Sequence, residues 1–93
     1  MNRTVPLGAA VVTPGEILAE EFLDPNDLTH RELARRMGVT SMRVNEIIRG
    51  KRAITADTAL RLAKVFGTSA KFWMNLQINY DLARAAIVQR EAA

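Results

Sequence analysis

The sequence predicts an all-α domain of five short helices, and three observations carry that prediction. Apolar residues recur at helical spacing in five successive stretches, and none alternates as a strand would. Glycines at 38, 50 and 67 each close a helical period. A threonine or serine stands ready to cap each stretch, at 13, 29, 40 or 41, 55 and 69. At 93 residues the chain holds one domain. Its 48% apolar and 25% charged content is ordinary for a folded globule.

Residues 1–12 carry Pro6 and Gly8 without a clear period and are expected to form a flexible tail. They are also too short and weakly apolar for a signal peptide. The domain is expected over 13–93. Thr13-Pro14-Gly15-Glu16 combines a capping threonine, a proline at the first helical position and a glutamate three residues after the cap. Ile17, Leu18, Phe22 and Leu23 follow as the apolar face, and Asp24-Pro25-Asn26-Asp27 stops the helix. Thr29-His30-Arg31-Glu32 reads as a second capping box, followed by Leu33, Ala34 and Met37. Val44, Ile47 and Ile48 line a third helix, and Ile54 dips back to the core after the Lys51-Arg52 turn. Thr55 caps a fourth helix with Ala59, Leu62, Ala63 and Phe66 inward. Ser69 caps a fifth, from about Ala70 to Ala85 or beyond.

Thr29–Gly50 is the most informative stretch. Two helices of under three turns flank a turn of about three residues. Small Ala34 lets them approach, Gly38 makes the turn, and Val44 and Ile47 plug the second against the first. That pattern is a helix-turn-helix, a device that offers its second helix to the major groove of DNA. Charge agrees with it. Thr29–Arg52 has seven basic and two acidic residues, a net +5, while the remainder is −2. A positive middle on a slightly negative body suits a polyanion, although a solvated helical face would carry the same charges.

With Val44 and Ile47 inward, Ser41, Met42, Asn45 and Glu46 are candidates for base edges. Asn45 can pair with adenine through two hydrogen bonds, Glu46 can accept from cytosine, and Met42 can touch a thymine methyl. An ion pair of Glu46 with Arg43 or Arg49 is the competing assignment. Arg43, Arg49, Lys51 and Arg52 suit phosphates, which position a protein without reading sequence. His30, just inside a helix start, can also reach a phosphate.

Other chemistries are poorly supplied. The absence of cysteine removes disulfides, thiolate metal sites and a cysteine nucleophile, and fits a reducing compartment. One histidine precludes a multi-histidine metal site, so neither metal nor cofactor is expected. No apolar run is long enough to span a bilayer. Glu16 and Glu20 share a helix face but lack a complementary base, so an enzyme is not expected.

The fifth helix has two apolar stripes. Phe72, Trp73, Leu76, Tyr80, Ala83 and Ile87 fall within about 100° of one another, and Met74, Ile78, Leu82 and Ala85 form a second group on another side. Asn75, Gln77, Asn79 and Arg84 lie between. Nothing in so short a chain remains to cover the second stripe. A twofold dimer through Met74, Ile78, Leu82 and Ala85 is therefore expected, which would set two recognition helices about 34 Å apart on a palindrome.

From Pro14 to Leu82 the sequence resembles the HigA/VapI group of antitoxins, a branch of the phage-repressor-like (XRE) helix-turn-helix family. The matching segments are PGEILAEEFL (14–23), LTHRELARRMGV (28–39), RVNEIIRGKRAITADTALRLAKVFGTS (43–69) and FWMNLQINYDLA (72–83). The resemblance implies a lambda-repressor-like fold with a C-terminal dimerisation helix from about residue 69. It implies a cytoplasmic bacterial protein, at the nucleoid when bound to DNA. It further implies an antitoxin that represses its own operon and neutralises a HigB/RelE-like, mRNA-cleaving toxin. By the same analogy Ser41, Met42 and Glu46 read bases, while Thr29, His30, Arg43, Arg49 and Lys51 hold the backbone. The acidic first helix, through Glu16 and Glu20, is the expected contact for a basic toxin. A stand-alone repressor without a toxin, and an adaptor that never touches DNA, are the competing functions.

Overall fold

The computed structural model of the chain describes residues 12–92. Apart from exposed Val12, the tail expected over 1–12 lies outside the described residues, as does Ala93. The described residues are helical with short turns and contain no strand.

The first helical run opens as α1 (Pro14–Ile17), widens to π-helical turns over Leu18–Leu23 and tightens to a 3₁₀ turn, Asp24–Asn26. Its capping box forms in full. The Glu16 amide donates to Thr13 Oγ1 at 3.1 Å, and the Thr13 amide donates to Glu16 Oε1 at 3.0 Å. The π segment has a packing reason. An ideal α-helix would set Leu18 and Leu23 about 140° apart, whereas i→i+5 turns bring positions five apart onto one side. Both leucines are buried. Asp27, in the left-handed region at φ 52°, then reverses the chain. The Leu28 amide reaches the Leu23 carbonyl at 2.9 Å, so the orphaned carbonyls at the helix end are satisfied.

α2 (His30–Met37) and α3 (Ser41–Ile48) form the helix-turn-helix. Thr29 and Thr40 are the caps, accepting from the Glu32 and Arg43 amides. The second capping box is only half formed. The Glu32 carboxylate turns instead to Arg35 and Arg36, because two guanidiniums one turn on outcompete a single backbone amide. Leu33, Ala34, Met37, Val44 and Ile47 are buried where the two helices meet, and Ile48 is half-buried against them.

α4 (Ala56–Phe66) and α5 (Ala70–Ala92) complete the body. Thr55 caps α4 by accepting from the Thr58 amide, and Ser69 Oγ accepts from the Phe72 amide at 3.0 Å. The core gathers residues from every helix: Leu18, Leu23, Leu33, Val44, Ile47, Ile54, Ala59, Leu62 and Trp73. Trp73 anchors an aromatic cluster with Phe22, Phe66 and Phe72 at centroid distances of 4.8, 6.2 and 5.0 Å, and its indole N–H donates to Thr68 Oγ1 at 2.7 Å. Such tilted and edge-on pairs suit the ring quadrupoles.

Gly15 shows why the first helix can seat on α3. A Cβ there would lie 2.0 Å from the Ile47 carbonyl oxygen, and backbone cannot yield as a flexible side chain can.

α5 departs from the expected two-stripe scheme in three ways. Gln77, assigned to the polar flank, is buried one turn beyond Trp73. Met74, assigned to the dimer stripe, is half-buried against the core. Ala83 and Ile87, assigned to the inward stripe, are beyond the last α5 residues that pack on the core cluster, because the helix outruns the body it lies on.

Candidate nucleic-acid interface

α3 is held by its inner face and leaves its outer face open. Val44 and Ile47 are buried, and the intervening positions carry Ser41, Met42 and Asn45 into solvent. Met42 is 70% exposed, an unusual position for a thioether side chain that no neighbour covers. Glu46 is half-buried at the edge of this face. Thr29 and His30 sit at the start of α2 beside it. His30 Nδ1 and Asn45 Oδ1 lie 3.1 Å apart, so the α2 start and the α3 outer face are in direct contact.

The end of α3 determines where the cations go. Gly50, at φ 75°, lets the Gly50 amide bond to the Ile47 carbonyl at 3.1 Å and the Lys51 amide to the Glu46 carbonyl at 2.8 Å. This closure reverses the chain within two residues. Arg49, Lys51 and Arg52 therefore cluster at one end of the exposed face, all exposed. Arg52 folds back to pair with Glu46 at 2.8 Å. The ion pair that competes with base contact for Glu46 is thus made by Arg52, not by Arg43 or Arg49. Among the described residues, Arg49 and Lys51 enter no ion pair.

Arg43 is placed differently from the other cations. Its guanidinium turns inward to α4, donating to Asp57 Oδ2 at 2.7 Å and to buried Thr58 Oγ1 at 2.8 Å. Asp57 also accepts from Arg61 at 3.0 Å. The two guanidiniums, Arg43 first, hold the Asp57 carboxyl below its usual value. Arg61 in turn donates to the Met37 carbonyl at 2.8 Å. Arg43 and Arg61 thus tie α2, α3 and α4 together around one carboxylate. On α2, hydrogen bonds from Arg35 and then Arg36 lower the Glu32 carboxyl to about 2.

The remaining candidates lie elsewhere. Ile78, Leu82 and Ala85 are exposed along α5, with Leu82 at 65%. Val88 joins them, although the sequence pattern did not assign it to the stripe. Glu16 and Glu20 are exposed on the first helical run, and one Glu16 oxygen is already committed to the Thr13 amide.

Sequence reasoning missed Gln77, Thr58 and Gly15. Gln77 was findable, since it is four residues after a core tryptophan and hence on its face. Thr58 and Gly15 carry no local signal, because the groups that require them come from another helix. No helix is long and apolar enough to cross a membrane among the described residues.

Comparison with known proteins agrees with this geometry. Residues 20–73 match the Helix-turn-helix family. The chain is 51% identical over 74 residues to virulence-associated protein I of Dichelobacter nodosus, covering 80% of this chain and 68% of that one. It is 47% identical over 70 residues to the uncharacterized HTH-type transcriptional regulator YbaQ of Escherichia coli K12, covering 75% and 62%. The chain therefore spans about two thirds of the length of these relatives. Among solved structures, it superposes on the Pseudomonas aeruginosa antitoxin HigA with higBA promoter at a TM-score of 0.83 and 47% identity, covering 87% and 88%. An exposed α3 flanked by unpaired cations, on a five-helix body shared with these proteins, gives the family: the chain belongs to the phage-repressor-like (XRE) helix-turn-helix family, in its HigA/VapI branch.

Proposed function

We propose that the protein is an operator-binding antitoxin that represses its own operon and neutralises a HigB/RelE-like mRNA-cleaving toxin. The observation that carries the DNA half is the outer face of α3. Ser41, Met42 and Asn45 stand in solvent beside Arg49 and Lys51, in a fold that superposes on a HigA bound at its promoter. In this reading Ser41, Met42, Asn45 and Glu46 meet base edges in the major groove. Thr29, His30, Arg49, Lys51 and Arg52 meet phosphates. Arg43 acts from behind by fixing α3 against α4. When the α3 face is occupied, the Glu46–Arg52 pair opens, freeing Arg52 for a phosphate and Glu46 for a cytosine amine.

A single α3 covers too few base pairs for an operator, so the protein acts as a twofold dimer. Ile78, Leu82 and Ala85 are the apolar surface offered to the second copy, with Met74 at its inner edge. Two α3 helices about 34 Å apart would then fit successive major grooves of a palindrome. With three or four phosphate-binding cations per subunit, log K against log salt should fall with a slope of about −5 to −7. A gel shift on the chain's own promoter fragment, repeated across salt concentrations, tests this. A flat salt response overturns groove binding.

The toxin half rests on family likeness and on the acidic first helix. Glu20→Lys is the cleaner test, since Glu16 also serves the cap of α1. It should weaken binding of the neighbouring gene product by about tenfold, and unchanged affinity overturns this surface. The relative that is an HTH-type regulator by name favours a second reading, a repressor without a toxin. Copurification with the product of the adjacent reading frame separates the two. Either way, its place of work is the bacterial cytoplasm, at the nucleoid when bound.

A further inference from the structure

Gln77 is one of two buried polar side chains among the described residues, and the DNA-reading face does not contain it. It belongs to α5, the helix assigned to dimerisation. Its Oε1 accepts from the Ile54 amide at 2.7 Å, across 23 residues of sequence, in a buried bond. Its Nε2 donates to Asp81 Oδ1 at 2.9 Å, one turn further along α5. Ile54 lies near the end of the irregular segment 51–55, and its side chain is buried in the core. Lys51 and Arg52 begin that segment. At one end it is fixed by the Lys51 and Arg52 amides on the Glu46 carbonyl, at 2.8 and 3.2 Å. At the other end Gln77 holds the Ile54 amide, next to the Thr55 cap of α4.

Resting on the operator-binding reading above, we infer that Gln77 is a positioning residue for DNA backbone contact: through the Ile54 amide, α5 sets the Lys51–Arg52 turn against the phosphates. Only an oxygen facing Ile54 satisfies that amide. The carboxylate of Asp81 fixes this orientation, because it accepts from an amide NH₂ and not from an amide oxygen. The order along the chain of contacts is Asp81, Gln77, Ile54 amide, then the cationic turn. A buried donor left without its acceptor pulls the turn toward solvent, and the cations move with it.

The test uses the full chain and its promoter fragment. Gln77→Met keeps size and removes the acceptor. It should leave the helical content intact, speed hydrogen exchange at the Ile54 amide, and weaken DNA binding about tenfold. The loss should be the same for operator and random DNA, and the salt slope should shrink by about 1–2 because phosphate contacts are lost. Asp81→Ala, which retains Gln77 but frees its amide to flip, should give a smaller loss in the same direction, and it keeps the test decisive if Gln77→Met fails to fold. Wild-type affinity and salt slope in both Gln77→Met and Asp81→Ala would overturn the inference while leaving operator binding intact. No binding by the wild-type chain would instead sink the operator reading itself.

Discussion

The body that ends near Gln77 and the arm of α5 beyond it are built from the same kinds of residue, yet they end in opposite states. In the body, Leu33, Val44, Leu62 and Trp73 are removed from solvent, and the buried Thr58 and Gln77 side chains bond to groups distant in sequence. On α5, Ile78, Leu82 and Val88 stand 48%, 65% and 56% exposed. Apolar residues favour one side of α2, α3 and α4, whereas α5 carries them on more than one side. The difference is that helices surround the one, whereas nothing among the described residues covers the other. An amphipathic pattern therefore states that a face will be buried; it does not say by what.

Four substitutions sharpen this contrast, taken from the largest expected effect to the smallest. Trp73→Ala removes the centre of the aromatic cluster and the bond to Thr68. It should cost about 3–5 kcal/mol, the range for large aromatic truncations in cores, and thermal melting would show a fall in Tm of more than about 12 °C. A melt close to wild type would contradict the placement of Trp73. Gly15→Ala forces a methyl against the Ile47 carbonyl and should cost about 2–3 kcal/mol, read in the same assay. Leu82→Lys belongs to the arm and should behave differently. Thermal stability of the dilute protein should change by under about 0.5 kcal/mol. Light scattering should show the proposed dimer at least tenfold weaker. If Leu82→Lys unfolds the single chain instead, the arm is part of the body after all.

The smallest effect is electrostatic and confined to acid. The Asp57 carboxyl is lowered by Arg43 and Arg61 in the folded chain. Its stabilising contribution is full above the unfolded value of 3.8 and is lost as pH falls through the lower folded value. Asp57→Asn should therefore flatten the loss of stability below about pH 4, leaving behaviour at pH 7 to depend on the hydrogen bonds that remain. Glu32, lowered to about 2 from 4.5, behaves in the same sense between those values. Because neither carboxyl is buried, salt should shrink both effects, and an acid profile of Asp57→Asn identical to wild type would show that the Asp57 pairs do not form in solution.

Much of this was legible beforehand for identifiable reasons. Caps are local: Thr13, Thr29, Thr40 and Thr55 each bond to an amide three residues away, so a short window suffices to find them. The Ala34–Gly38–Val44–Ile47 spacing is legible because one tight turn joins its two helices. The box at Glu32 forms only by half, since the same window holds Arg35 and Arg36, which compete for the same carboxylate. Arg43 shows the other limit. Sequence distinguishes a cation from an apolar residue, but its direction depends on Asp57 and Thr58, which arrive on α4 from 14 and 15 positions away.

By itself, the order of residues determined where helices begin and end, which side of each is apolar, and which segment carries positive charge, because each depends on contacts within a turn or two. Three-dimensional packing alone decided that Gly15 must lack a side chain, that Gln77 is held inside, and that Arg43 faces inward while Arg49 and Lys51 face out. Those outcomes belong to groups brought together from distant parts of the chain. The energy of a close approach, a buried amide or an ion pair has no value until both partners are in place.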